Sequence, residues 1–97
     1  MSSLTAFKPG LMLTFATVQE SLIRLRLHAK SNHEDSLYLD LSETTHCDSA
    51  GLALLIEAKR LSILCGQQLM IKGMSSKIQM LAEFCGVLAL LLENNED

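Results

Sequence analysis

The chain has 97 residues, a formal net charge of −3 and a pI near 5.5, which excludes nucleic acid as a main ligand because phosphate-backbone binding needs clustered excess Lys and Arg. Its 48% hydrophobic content with only 4% aromatics calls for a core of Leu, Ile, Met and Ala, as in helices covering a small sheet. A chain of this length is expected to form one domain over residues 1–97, burying about three-fifths of its unfolded surface.

Residues 1–10 are weakly patterned and lack a cationic segment ahead of an apolar run, so no signal peptide or export is expected. Pro9-Gly10 marks a turn, and Leu11 to Phe15 reads as a short strand. Thr17-Val18-Gln19-Glu20 has the form of a capping box opening a helix to about Ala29. Val18, Leu22, Leu25 and Ala29 form its buried stripe, with Arg24 toward solvent. Arg24, Arg26 and Lys30 make a small basic face that could meet an acidic partner, although a solvated helix surface explains it as well.

Ser31 to Asp35 is a polar loop, and Leu37 to Leu41 is strand-like in length and apolar content. A short polar loop then leads to Asp48-Ser49-Ala50-Gly51, the opening of a helix with Leu52, Leu55, Ile56 and Leu61 on its apolar face. Asp48 stands where an N-cap belongs, and Ser49 begins the first turn. Gly66 is placed as a left-handed C-terminal cap before the strand Leu69–Lys72, and Gly73 turns the chain. Ser75 or Ser76 caps a third helix carrying Ile78, Leu81, Ala82 and Cys85, which Gly86 ends. Leu88 to Leu92 is one last strand or short helix, and residues 93–97 form an acidic tail expected to fray. Strands alternating with amphipathic helices predict an α/β fold with a small, mainly parallel sheet, right-handed crossovers and helices largely on one face.

The chemistry points away from catalysis. His46-Cys47-Asp48 contains the residues of a thiol nucleophile, but neighbours leaving a strand point in different directions and Asp48 is needed at the helix start. No metal site is expected, since His28, His33 and His46 lack usable ligand spacing. With no Gly-x-Ser-x-Gly elbow and no phosphate-binding loop, neither an enzyme nor a cofactor is expected. Cys47, Cys65 and Cys85 are odd in number and lack a C-x-x-C pair, so reduced, core-filling thiols are expected. The longest apolar run, Val87 to Leu92, is far short of the roughly 20 residues of a membrane span, so no direct membrane insertion is expected.

The run Asp48-Ser49-Ala50-Gly51-Leu52-Ala53-Leu54-Leu55 resembles the STAS domain, the family of sulfate-transporter C-terminal regions and bacterial anti-sigma-factor antagonists. Leu13-Thr14-Phe15-Ala16-Thr17-Val18, Asp40-Leu41-Ser42, and Gly66 before Leu69-Met70-Ile71 extend the likeness, over Leu11 to about Leu92, to the MlaB branch. That resemblance implies a non-enzymatic, cytoplasmic subunit, peripheral to the inner membrane, that binds the MlaF-like ATPase of a phospholipid ABC transporter and through it the permease complex. The expected contact surface is the 42–51 loop and helix start: Glu43, Thr44, Asp48, Ser49, Ala50 and Gly51, with Asp48 organising the turn, Ser49 touching the partner and Gly51 permitting close approach. The alternative is an anti-sigma-factor antagonist switched by phosphorylation of Ser49, and a plain helix cap is the structural alternative to both. STAS domains usually open with an earlier strand, for which Thr5-Ala6-Phe7 is the best fragment; a shortened sheet edge there would permit a homodimer in isolation.

Overall fold

The computed structural model describes residues 6–93. Its elements are β1 (Met12–Leu13), α1 (Val18–Ser31), β2 (Ser36–Asp40), β3 (His46–Cys47), α2 (Ser49–Leu64), β4 (Gln68–Lys72), α3 (Ser76–Phe84) and α4 (Leu88–Leu92). All strand pairing is parallel: β1 with β3, β2 with β4, and a single bridge from Phe7 to Leu39. The stretch from Phe7 to Leu13 therefore flanks the line from β2 to β3 on one side, while β4 flanks β2 on the other.

Period-two alternation decides which face of the sheet is covered. Leu37 and Leu39 of β2 and Leu69 of β4 are buried, whereas Met70 is exposed and Tyr38 only partly covered. The buried face meets α2 and α4, and α1 packs on α2. Leu13, Leu25, Leu37, Leu39, Leu41, Leu54, Leu55 and Leu91 are fully buried, so every layer contributes leucine to one core, as the composition predicted.

The α2 terminus follows its sequence signal closely. Gly66 has φ of 69°, its amide bonds to the Ile63 carbonyl at 3.1 Å, and the Gln67 amide reaches the Ser62 carbonyl at 2.7 Å. That paired pattern satisfies the last carbonyls of the helix and needs a left-handed residue. The same two bonds recur from Gly86 and Val87 at the end of α3.

Several expectations need correction. The strand predicted over Leu11–Phe15 contracts to Met12–Leu13, because the Phe15 amide is diverted to the Asp48 carboxylate. Thr17 is the N-cap residue of α1, yet its hydroxyl turns back to the Met12 carbonyl and the Thr14 amide, so the expected capping box does not form. The helix runs to Ser31, and Val18 and Leu22 pack at the core margin, where buried Ser21 joins Leu25 and Ala29. His46–Cys47 forms a strand where a loop was expected. Cys65 and Cys85 are exposed at the caps of α2 and α3, so only the half-buried Cys47 packs against the core.

The first-strand fragment reduces to the Phe7 bridge, and Thr5 lies outside the described residues, as does the tail beyond Glu93. Phe7 bonds inward to β2 through both its amide and its carbonyl, while the Lys8 and Met12 carbonyls bond toward α1 and its N-cap. Those two carbonyls accept from the Arg24 guanidinium at 2.8 Å and the Thr17 hydroxyl at 3.0 Å. Arg24, expected to point freely into solvent, also lies over the Phe7 ring at 5.1 Å. This edge is partly capped by α1, which removes acceptors that a second chain would use.

Leu52 is only 3% exposed on the inner face of α2. Leu52→Asp is expected to abolish the cooperative thermal melt, because an unpaired charge in the core costs about 3–5 kcal/mol, a large share of a small domain's stability. A wild-type melt would show that this face of α2 is not the core face.

Candidate functional site

The site is built by one carboxylate. Asp48 caps α2 in extended conformation, and its Oδ1 accepts the Gly51 amide at 3.0 Å. Its Oδ2 accepts the Phe15 amide, 33 positions away in sequence, also at 3.0 Å. The aspartate thus closes the helix start and pins the turn that follows β1. These amides, Phe15 first and then Gly51, hold the Asp48 carboxyl below the ordinary carboxylate range.

Gly51 completes the joint from the other side. It is buried, and a Cβ there would fall on the Leu13 carbonyl oxygen, well inside van der Waals contact, and crowd the Cys47 Sγ. Only glycine lets the first turn of α2 lie directly against β1. The close approach it permits is that of the chain's own strand.

The preceding loop is tied down by its own polar groups. The Asp40 carboxylate accepts the Ser42 hydroxyl at 2.6 Å and the Ser42 amide at 3.0 Å, which lowers the Asp40 pKa. Thr44 is buried, and its hydroxyl donates to the Gly10 carbonyl at 2.7 Å. Thr45 and His46 send their amides to the Leu11 carbonyl. Of the residues expected to face a partner, the structure gives Thr44 and Gly51 internal roles and leaves Glu43 and Ser49 exposed, with Ala50 and Asp48 partly covered.

The Ser49 hydroxyl makes no hydrogen bond among the described residues. Beside it the clamp holds Phe15, whose side chain is 81% exposed, and Leu11 and Met12 are exposed on the same β1 segment. Sequence patterning placed these three in a strand and so missed them as surface residues. The signal lay in Asp48, whose second oxygen takes the amide that would have continued the strand.

Among the described residues, His46, Cys47 and Asp48 are not arranged as a nucleophile with its base. The His46 Nδ1 meets the Thr45 hydroxyl at 2.9 Å, and the Cys47 thiol is directed at the Asp48 carbonyl at 3.6 Å. Burial, with the Asp48 charge second, pushes the Cys47 thiol up to about 11, which opposes thiolate formation. Asp48 itself is fully engaged by backbone amides. Among the described residues, no group of three or more His, Cys, Asp and Glu side chains could hold a metal ion, and no helix is long and apolar enough to cross a membrane.

The basic face expected on α1 is partly neutralised within the fold. Arg26 approaches Glu57 of α2 at 3.8 Å, and Arg60 grips the same carboxylate through two nitrogens. Both arginines, with the Arg60 hydrogen bond first, lower the Glu57 pKa.

This arrangement, a short parallel sheet with a capped helix opening beside a polar loop, agrees with a family model for the STAS domain that matches residues 4–97. The chain belongs to the STAS domain family. No curated protein and no solved structure matches it. STAS domains as a class are protein-interaction modules of the anti-sigma-factor-antagonist type rather than enzymes.

Two variants test the joint. Gly51→Ala should destabilise the fold by about 2–4 kcal/mol in denaturant titrations, since the new methyl meets backbone that cannot retreat. Asp48→Asn removes a group whose folded pKa lies below its unfolded value, so its contribution is present above the unfolded pKa and fades as pH falls through the depressed one. The melting-temperature difference between wild type and Asp48→Asn should be largest near neutrality and close in strong acid; a gap constant with pH would show that the carboxylate charge contributes nothing.

Proposed function

We propose that this chain is a non-enzymatic STAS subunit of the MlaB type, which binds and supports the ATPase of an ABC transporter moving phospholipid between the inner and outer membranes. The observation that carries the reading is the Ser49 hydroxyl, without a hydrogen bond among the described residues, on the first turn of a helix whose start is locked by Asp48, beside the exposed ring of Phe15. A hydroxyl held on a fixed backbone next to apolar surface suits a protein contact, where a polar group sets register and aromatic area supplies affinity.

The sequence favours the transport branch through Leu13-Thr14-Phe15-Ala16-Thr17-Val18 and Gly51-Leu52-Ala53-Leu54-Leu55. In the fold these two runs meet. Leu13 of the first lies against Gly51 of the second, and Phe15 of the first bonds to Asp48, just ahead of the second. In this reading ATP is bound and hydrolysed by the partner, while the STAS subunit contributes a contact surface and reaches the membrane only through the permease that the ATPase serves.

The second reading, a switch operated by phosphorylation of Ser49, rests on the same exposed, unbonded hydroxyl. A phosphate there would sit beside the Asp48 carboxylate and add charge to the contact. Incubation with a partner serine kinase, followed by mass spectrometry of Ser49, separates the two readings.

The test of the transport reading is a titration of wild-type and variant protein against the ABC ATPase encoded in the same genome. Ser49→Ala should weaken the complex by about 0.5–1.5 kcal/mol, the worth of one neutral hydrogen bond. Ser49→Glu should weaken it further, because it adds charge and bulk at the contact while the helix dipole tolerates an acid at that position. Parallel melts should stay near wild type. Unchanged binding by both variants would place the contact elsewhere, and a parallel loss of stability and binding would reduce Ser49 to a structural residue.

A further inference from the structure

We infer that the pocket between β3 and the first turns of α3 receives an acidic side chain of the protein partner, held by Lys77 with His46. This rests on the reading that a protein docks at the start of α2, and it adds the chemistry of that partner. The pocket has a volume of about 340 Å³ and is lined by Thr45, His46, Cys47, Lys77, Ile78 and Leu81. Among the described residues no carboxylate lines it, although the chain as a whole carries a net charge of −3. Its β3 wall leads directly into Asp48 and Ser49, so a partner seated on Ser49 has the pocket at its margin.

Lys77 is what singles out this pocket. Other cations are engaged within the fold: Lys8 approaches Asp40 at 4.0 Å, Arg24 lies on Phe7 and the Lys8 carbonyl, Arg26 and Arg60 share Glu57, and Lys59 donates to the Glu93 carbonyl at 2.6 Å. Lys72 acts on Asp40 through its charge. Lys77 has no ion pair or hydrogen bond among the described residues, and Lys30, which also has none, stands at the exposed end of α1. Lys77 is moreover the second residue of α3, where a cation opposes the helix dipole. A locally unfavourable charge beside a pocket with no counter-charge is supplied with one by an incoming anion.

The lining chooses among anions. Ile78 and Leu81 offer apolar wall to methylene groups, while His46 and Lys77 offer polar contacts to the group at their end; the Thr45 hydroxyl is engaged by the Leu11 carbonyl and the His46 Nδ1. A glutamate side chain has that layout. A bare phosphate lacks the methylenes.

The proposal is tested first without the partner. Isotope-labelled protein is titrated with N-acetylglutamate N′-methylamide, a glutamate side chain on a neutral backbone, with the glutamine analogue and inorganic phosphate as comparisons. Saturable amide shifts are expected at Thr45, His46, Lys77 and Ile78, absent with the glutamine analogue and lost in Lys77→Ala. Shifts spread equally over Lys30 and Lys72, no shift at all, or a response to phosphate alone would overturn the proposal. In the complex, Lys77→Glu should weaken ATPase binding about tenfold or more, with an unchanged melt, and Lys77→Arg should retain it. Wild-type affinity in Lys77→Glu would overturn the proposal. If the ATPase fails to bind even the wild-type chain, the transport reading falls and the small-molecule titration alone decides the pocket.

Discussion

The structure depends on a carboxylate shared between two amides distant in sequence. Asp48 satisfies the Gly51 amide at the start of α2 and the Phe15 amide after β1. Each bond alone is common, the first as a helix cap and the second as a turn contact. Made by one side chain, they force the N-terminal segment and the α2 start to take up positions together. Everything at the proposed contact follows from that joint: the placement of Ser49, the display of Phe15 and the early end of β1.

The clamp works because the packing beneath it leaves no slack. Gly51 brings the first turn of α2 onto the Leu13 carbonyl, and the same helix buries Leu52, Leu54, Leu55 and Ala58 in the core. The loop before it is held independently, by Asp40 on Ser42 and by Thr44 on Gly10. A partner therefore meets a surface whose backbone is already ordered, and association need not supply the entropy of ordering it. Stability and recognition are coupled here, since the residues that fix the site also fasten the first strand to the central helix.

Local chemistry was legible in the sequence wherever one residue type has one strong reason to be present. Asp48 as an N-cap and Gly66 as a left-handed terminus could be read directly, as could the parallel α/β order and the apolar face of α2. Contacts between distant segments could not. Thr17 followed by Glu20 matched a capping box, but the hydroxyl found a nearer acceptor in the β1 turn. Leu11 to Phe15 had the composition of a strand, and nothing local announced that Asp48 would take the Phe15 amide. Cys65 and Cys85 looked like core residues because they continue apolar patterns; they fall at helix caps, where the backbone turns the chain outward. At the site, Asp48 and Ser49 were found where the sequence placed them. The internal neighbours of Thr44 and Gly51 were not legible, because only the tertiary fold brings them to Gly10 and Leu13.

The most direct measurement of this account is amide hydrogen exchange at Phe15 and Gly51 in wild-type protein and in Asp48→Ala. These amides share one acceptor, so the account predicts slowed exchange at both in wild type and loss of protection at both in the variant, with the core amides of β2 and β4 still protected. Retained protection at Phe15 in Asp48→Ala would contradict it, because the turn after β1 would then be held by something other than the Asp48 carboxylate.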